Sequence, residues 1–241
     1  MRIAVDHRFE RTFARPVSRV VLALRMAPEN THDQTVARWG IEVACDARLR
    51  ERTDGYGNRV TTLYADGPLD RVELRVTGEV LTSHSDGVVR GSHETLAPAA
   101  FARATELTPP LPEVADWVAG LGGRDRLDVL HRVLDAFHER FGDWEGDEVG
   151  TAAAWEADRI GPADRVHLFL TAARAAGVPA RFVGGWCASL PGGPAPHRWA
   201  EAHVERIGWI GFDPRFGRCP EDAHVRVAVG LDAGGVAPVA G

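Results

Sequence analysis

The hydrophobic period changes once along this chain, and that change constrains the fold more than any other feature of the sequence. Up to about Val89 the pattern has period two, through Ile3, Val5, His7 and Phe9, then Val20, Leu22, Leu24 and Met26, then Val72, Leu74, Val76, Gly78 and Val80. Alternation of this kind sets one face of a strand against a core and the other in water. Asp54-Gly55 and Gly57-Asn58 lie between such runs, and Gly and Asn tolerate the backbone that reverses a chain tightly. The first third therefore reads as antiparallel β-structure.

Further on, Leu127, Leu130, Leu134, Phe137 and Phe141 fall at helical spacing and predict an amphipathic helix. Between the two regimes stand Pro98, Pro109, Pro110, Pro112 and the Gly122-Gly123 pair, a composition of connectors. The expected organisation is a β-rich domain over 1–92, a connector over 93–123 and a second domain over 124–241, in an α+β fold.

With 241 residues, 44% of them hydrophobic, the chain can bury a sizeable core. A formal charge of -6 leaves no basic field for a nucleic acid backbone or an anionic membrane, so neither is expected as a partner. The opening MRIAVDHRFERTF is too densely charged for a leader, and no apolar run approaches the roughly 20 residues that span a bilayer. Cys45, Cys187 and Cys219 are an odd set without CxxC spacing, which argues against a disulfide framework or a zinc knuckle. A cytoplasmic protein is expected.

Pro162, which has no N–H to lose in a first turn, with Asp164 close behind, predicts the start of a second helix. Its core stripe would be Val166, Phe169, Leu170 and Ala173, and Gly177-Val178-Pro179 would end it. Three strand-like runs follow, over 180–187, 198–205 and 209–212. They place His197 at the head of one strand and Asp213 at the end of the next. Adjacent antiparallel strands can bring these side chains together, and an Asp that accepts from an imidazole fixes the tautomer a general base needs.

PHRWAEAHVERIGWIGFDP, Pro196 to Pro214, resembles the second half of the transglutaminase-like core, usually SHAWAEV, then GW, then GFDPTN. Gly161-Pro162-Ala163-Asp164-Arg165-Val166-His167-Leu168-Phe169, followed by LTAARAAGVPARFVGG, is similar to its first half, normally GVCxDxAHLF. RPVSRVVLALRMAP, YGNRVTTLYADGPLDRVELRVTGEV and the tail CPEDAHVRVAVGLDAGGVAPVAG also resemble bacterial members of the family. The resemblance implies a β-rich N-terminal region and a papain-like transglutaminase core with helices on an antiparallel sheet. Its activity would be acyl transfer or amide hydrolysis through a Cys thioester, without a cofactor.

On that comparison His197 and Asp213 take the triad positions, and Pro162 stands where the nucleophilic cysteine belongs. A one-residue deletion would put Ala163 there instead. Other departures cluster nearby: Pro196 for Ser, Arg198 for Ala, and Phe216 where DPTN ends in Asn. The reading that follows is a non-catalytic binding or accessory protein of peptide or amide-bond metabolism. It would keep its cleft for a peptide or protein, and the resemblance implies a neighbour such as an ATP-grasp protein.

Two alternatives stand beside it. Cys187, near the end of the strand before His197, is the candidate for a relocated nucleophile in a thiol-dependent acyltransferase or peptidase. Asp164, His167, His197 and Asp213 offer carboxylate and imidazole for the metal of a metal-dependent amide hydrolase. Cys45 reads as strand core, Cys219 as a structural loop residue, and His131 and His138 as solvated.

Overall fold

The computed structural model describes residues 1–144 and 146–241. The period-two stretches become strands longer than their apolar segments. β1 runs from Arg2 to Leu24 and pairs antiparallel along most of its length with β4, Arg59–Thr82. β2 (Gln34–Val43) and β3 (Arg48–Thr53) both add to β4, giving a first sheet ordered β12-β1-β4-β2 with β3 on β4. Ile3, Val5, Val20, Leu22, Leu24, Val72, Leu74, Val76 and Val80 are buried, as alternation requires. The turn between β3 and β4 is held by Asp54 Oδ1, which accepts from the N–H groups of Tyr56 and Asn58. Cys45 lies past the end of β2, half-buried in the bend before β3, rather than in a strand.

The second half opens with α1 (Pro112–Leu121) and α2 (Arg126–Arg140), followed by α3 (Thr151–Glu156) and α4 (Pro162–Ala175). Asp125 caps α2, its carboxylate accepting from the Asp128 N–H. Leu130, Val133, Leu134 and Phe137 form the buried stripe. The proline-rich stretch that reads as connector thus contains a helix. Pro112 starts α1 as Pro162 starts α4, each supplying a first turn that needs no N–H.

The second sheet is ordered β11-β8-β9-β10-β5. Its strands are β5 (Val88–Val89), β8 (Ala180–Cys187), β9 (Ala195–Val204), β10 (Gly208–Phe212) and β11 (His224–Gly230). A short parallel pair, β6 (Gly142–Asp143) with β7 (Arg159–Ile160), precedes α4. β12 (Val239–Ala240) returns to the first sheet and pairs with the end of β1. β5 crosses the other way, from the first third of the chain onto β10.

α4 lies on the second sheet. Phe169 stacks on Phe212 at 5.2 Å between ring centroids, and His167 meets Phe182 at 5.1 Å. Arg174, in its last turn, bonds the carbonyls of Phe101 (3.0 Å), Ala180 (2.9 Å) and Leu231 (2.8 Å). Gly177 then leaves the helix at φ 71, a conformation that costs a glycine nothing. One apolar core runs from Ile3 and Leu22 through Phe137 and Phe169 to Phe212 and Val225. Asn58 exchanges hydrogen bonds with both backbone groups of Val229, and Gln34 does so with Arg226, so the β3–β4 turn and the start of β2 are tied to β11. No helix among the described residues is long and apolar enough to cross a membrane.

Candidate active site

The two strands that carry His197 and Asp213 are neighbours, β9 and β10, and the turn at Arg206-Ile207 that joins them sets their register. The outcome is a hydrogen bond of 2.6 Å between His197 Nε2 and Asp213 Oδ2, with both side chains buried. Asp213 Oδ1 accepts from the Arg215 N–H at 3.0 Å and the Phe216 N–H at 3.4 Å, which orients the carboxylate. Oδ2 is shared with a second imidazole, His224 at the start of β11, at 3.0 Å. Burial would raise the Asp213 pKa, but the two imidazoles outweigh it and hold the group at about 2. With Nε2 committed to Asp213, His197 keeps Nδ1 for the cleft. Its ring lies between Trp199 and Phe216, centroids 6.1 Å and 5.2 Å away.

Sequence reasoning passed over His224. The signal was present in Val225, Val227 and Val229, a period-two run, but its pairing partner is the distant β8. In that pairing His224 stands opposite Cys187. Burial lowers the His224 pKa, yet Asp213 and the neighbouring Cys187 sulfur raise it further, to about 9. The Glu221 N–H works against them, since it donates to Nδ1 at 3.2 Å and a protonated Nδ1 would face it donor to donor. Cys187 is fully buried.

Donor atoms of His197, Asp213 and His224 lie within 4.8 Å of one another, a set that could hold a transition metal. The protons argue for hydrogen bonding instead. Both rings use Nε2 on Asp213, and a metal there would move the His224 proton to Nδ1, against the Glu221 N–H. Asp164 and His167 are engaged elsewhere. Asp164 accepts from the Val149 N–H at 2.8 Å and the Gly150 N–H at 3.2 Å, and His167 Nε2 accepts from the Ala233 N–H at 3.1 Å.

His167 is thereby a neutral, structural imidazole. Burial, the main cause, lowers its pKa from 6.5 to about 4; Asp164 and Asp232 oppose the shift, while Arg198 and Arg174 assist it. A folded pKa below the unfolded one gives stability that is complete above pH 6.5 and lost as the pH falls through 4. The expected size is about 3 kcal/mol. His167→Gln, which keeps an acceptor but does not titrate, should lose that part of the acid limb in unfolding curves recorded from pH 7 to 4. An unchanged slope in the variant would contradict the assignment.

Residues 3–81 match the bacterial transglutaminase-like N-terminal region, and residues 149–214 match the transglutaminase-like superfamily core. The chain belongs to the transglutaminase-like superfamily. The fold is shared with a proposed cysteine protease from Cytophaga hutchinsonii, at TM-score 0.77 and 18% identity over 99% of this chain and 84% of that one. The periplasmic domain of TgpA from Pseudomonas aeruginosa aligns over 86% of this chain and 73% of its own, at 14% identity and TM-score 0.42. No curated protein matches the chain.

In this transglutaminase-like chain, α4 begins at Gly161-Pro162 without a side-chain cap, and Ala163 is fully buried. A chain of contacts joins that helix start to the head of β9. Asp164 holds the N–H groups of Val149 and Gly150, and the preceding residue, Glu148, pairs with Arg198 at 3.1 Å. His131, expected in solvent, is half-buried with its ring edge against Phe212 at 5.4 Å, because α2 packs over the end of β10. His138 is exposed and meets the Arg215 carbonyl at 3.2 Å.

Proposed function

We propose that this transglutaminase-like chain lacks the family's nucleophile and serves as a non-catalytic binding protein, its cleft beside His197 holding a peptide. The observation that carries the reading is the residue that opens α4. Pro162 offers no thiol to attack a carbonyl and no N–H to stabilise an oxyanion, which removes two of the groups acyl transfer draws on. The base and its orienting carboxylate remain without a group to activate. An accessory part in peptide or amide-bond metabolism, beside a partner enzyme that does the bond chemistry, fits such a site.

Incubation with a fluorescent glutaminyl peptide and a primary amine, followed by intact-mass and product analysis, tests this. The expected result is neither an acyl-protein adduct nor a transamidated or hydrolysed product. Either species at above-background rate would overturn the proposal.

One observation favours a second reading. Cys187, His224 and Asp213 succeed one another as thiol, imidazole and carboxylate, the order of a cysteine-protease triad. In that reading His224, rather than His197, is the base for Cys187. Turnover abolished by Cys187→Ser and by His224→Ala, but not by His197→Ala, would establish it. The full burial of the thiol and the Glu221 N–H on the ring favour an inert Cys187.

A further inference from the structure

A cavity of about 160 Å³ opens beside His197. Its wall includes Phe9, Trp186, Val227, Val236 and Pro238 on the apolar side, with Arg25 and Arg198 among the polar residues and, among the described residues, no Asp or Glu. Arg25 bonds Asp54 through Nε at 3.1 Å, and Arg198 bonds Glu148 through one terminal nitrogen at 3.1 Å. Among the described residues the other N–H groups of both guanidinium forks have no hydrogen-bond partner. Trp186 is only 4% exposed, and its indole N–H is buried without a partner. A buried donor left in that state is costly unless something accepts from it. The donors and positive charge of the cavity are therefore those of the Arg25 and Arg198 forks, and among the described residues its wall has no acidic side chain.

We infer that this cavity receives the C-terminal residue of a peptide, its free carboxylate on Arg198 and Arg25 and its apolar side chain against Trp186 and Val236. Guanidinium forks match carboxylates in shape as well as charge, which makes arginine the expected reader of such a group. At about 160 Å³ the cavity is smaller than the roughly 300–1,000 Å³ of sites that enclose a whole drug-sized ligand. It suits one residue at the end of a chain whose remainder lies in the cleft. Arg198 stands where the family pattern has alanine, so this charge belongs to the group of departures around the lost nucleophile. The inference rests on the binding role proposed above and specifies its ligand.

The test is calorimetric titration of the intact protein with three peptides: acetyl-Ala-Ala-Leu with a free carboxylate, the same peptide as carboxamide, and acetyl-Ala-Glu-Leu carboxamide. The free acid is expected to bind at least tenfold more tightly than either amide. Arg198→Ala, a half-exposed position whose loss should leave the melting temperature unchanged, is expected to bring the acid to the level of its amide. Arg25→Gln gives a second variant should the first misfold. Equal affinity for acid and amide, or no binding of the acid, would overturn the inference. Tight binding of the glutamyl amide would reassign the site to an acidic side chain and overturn it too. Mass analysis of the same mixtures keeps the two levels apart, because cleavage or acylation would refute the non-catalytic role whatever the affinities.

Discussion

Pro162→Cys is expected to create a thiol that alkylates about 100-fold faster at pH 6 than an unperturbed cysteine, whose pKa is about 8.5. The position is the first residue of α4, where the positive end of the helix dipole favours a thiolate. The contacts running from Asp164 through Glu148 to Arg198 bring that helix start toward the head of β9, where His197 holds Asp213 through Nε2 and, among the described residues, has no hydrogen bond at Nδ1. Combining the change with His197→Ala should remove most of that acceleration and leave only the smaller lowering that the start of α4 itself supplies. Losing proline at the first helical position costs little, because glutamate, cysteine and most other residues are tolerated there. If the introduced thiol titrates near 8.5 with His197 intact, the imidazole does not address the start of α4. The site would then differ from a working one in more than the residue at position 162.

Glu201→Ala is expected to destabilise the fold by about 3–5 kcal/mol. Glu201 is fully buried on β9, with Arg181 Nε at 2.7 Å from one oxygen and Arg226 Nε at 2.7 Å from the other. Arg181 continues the network to Glu94 at 2.6 Å and 2.9 Å, and it lies over the Trp209 ring at 3.8 Å. Burial would raise the Glu201 pKa, yet the two guanidinium groups hold it at about 2. Removing the carboxylate leaves two cations in a low-dielectric interior, with Glu94 and the weaker field of Asp33 to offset them. Chemical denaturation should show the loss directly. Glu201→Gln, which keeps the volume but not the charge, should recover only part of it. A cost below about 1 kcal/mol would mean that water or a shift of Arg226 replaces the missing charge.

These residues show how unevenly the sequence discloses the structure. α4 was readable end to end, because Pro162, Asp164 and Gly177 are local signals that act through the backbone of their own helix. The approach of His197 to Asp213 was readable too, since a short turn leaves adjacent strands few registers. His224 was not, because its place is set by pairing with β8, and nothing near Val225 in sequence points to Cys187. α1 was hidden by its prolines, which mark a helix start as readily as a loop. The crossings of β5 and β12 between sheets are decided by tertiary pairing alone. Arg198 was visible as a departure from the family pattern, but its chemistry emerged only with the cavity around it.

The central claim is that no cysteine of this chain is a nucleophile, and the pH dependence of alkylation, read cysteine by cysteine by mass spectrometry on the native protein, tests it most directly. Burial and Asp46 raise the Cys45 pKa; burial, Asp86 and Glu221 raise that of Cys219. Both are predicted to label slowly at neutral pH and faster only in alkali, and Cys187 is predicted to label only on unfolding. Rapid labelling of Cys187 near pH 6 would contradict the account and make the Cys187–His224–Asp213 array the working site.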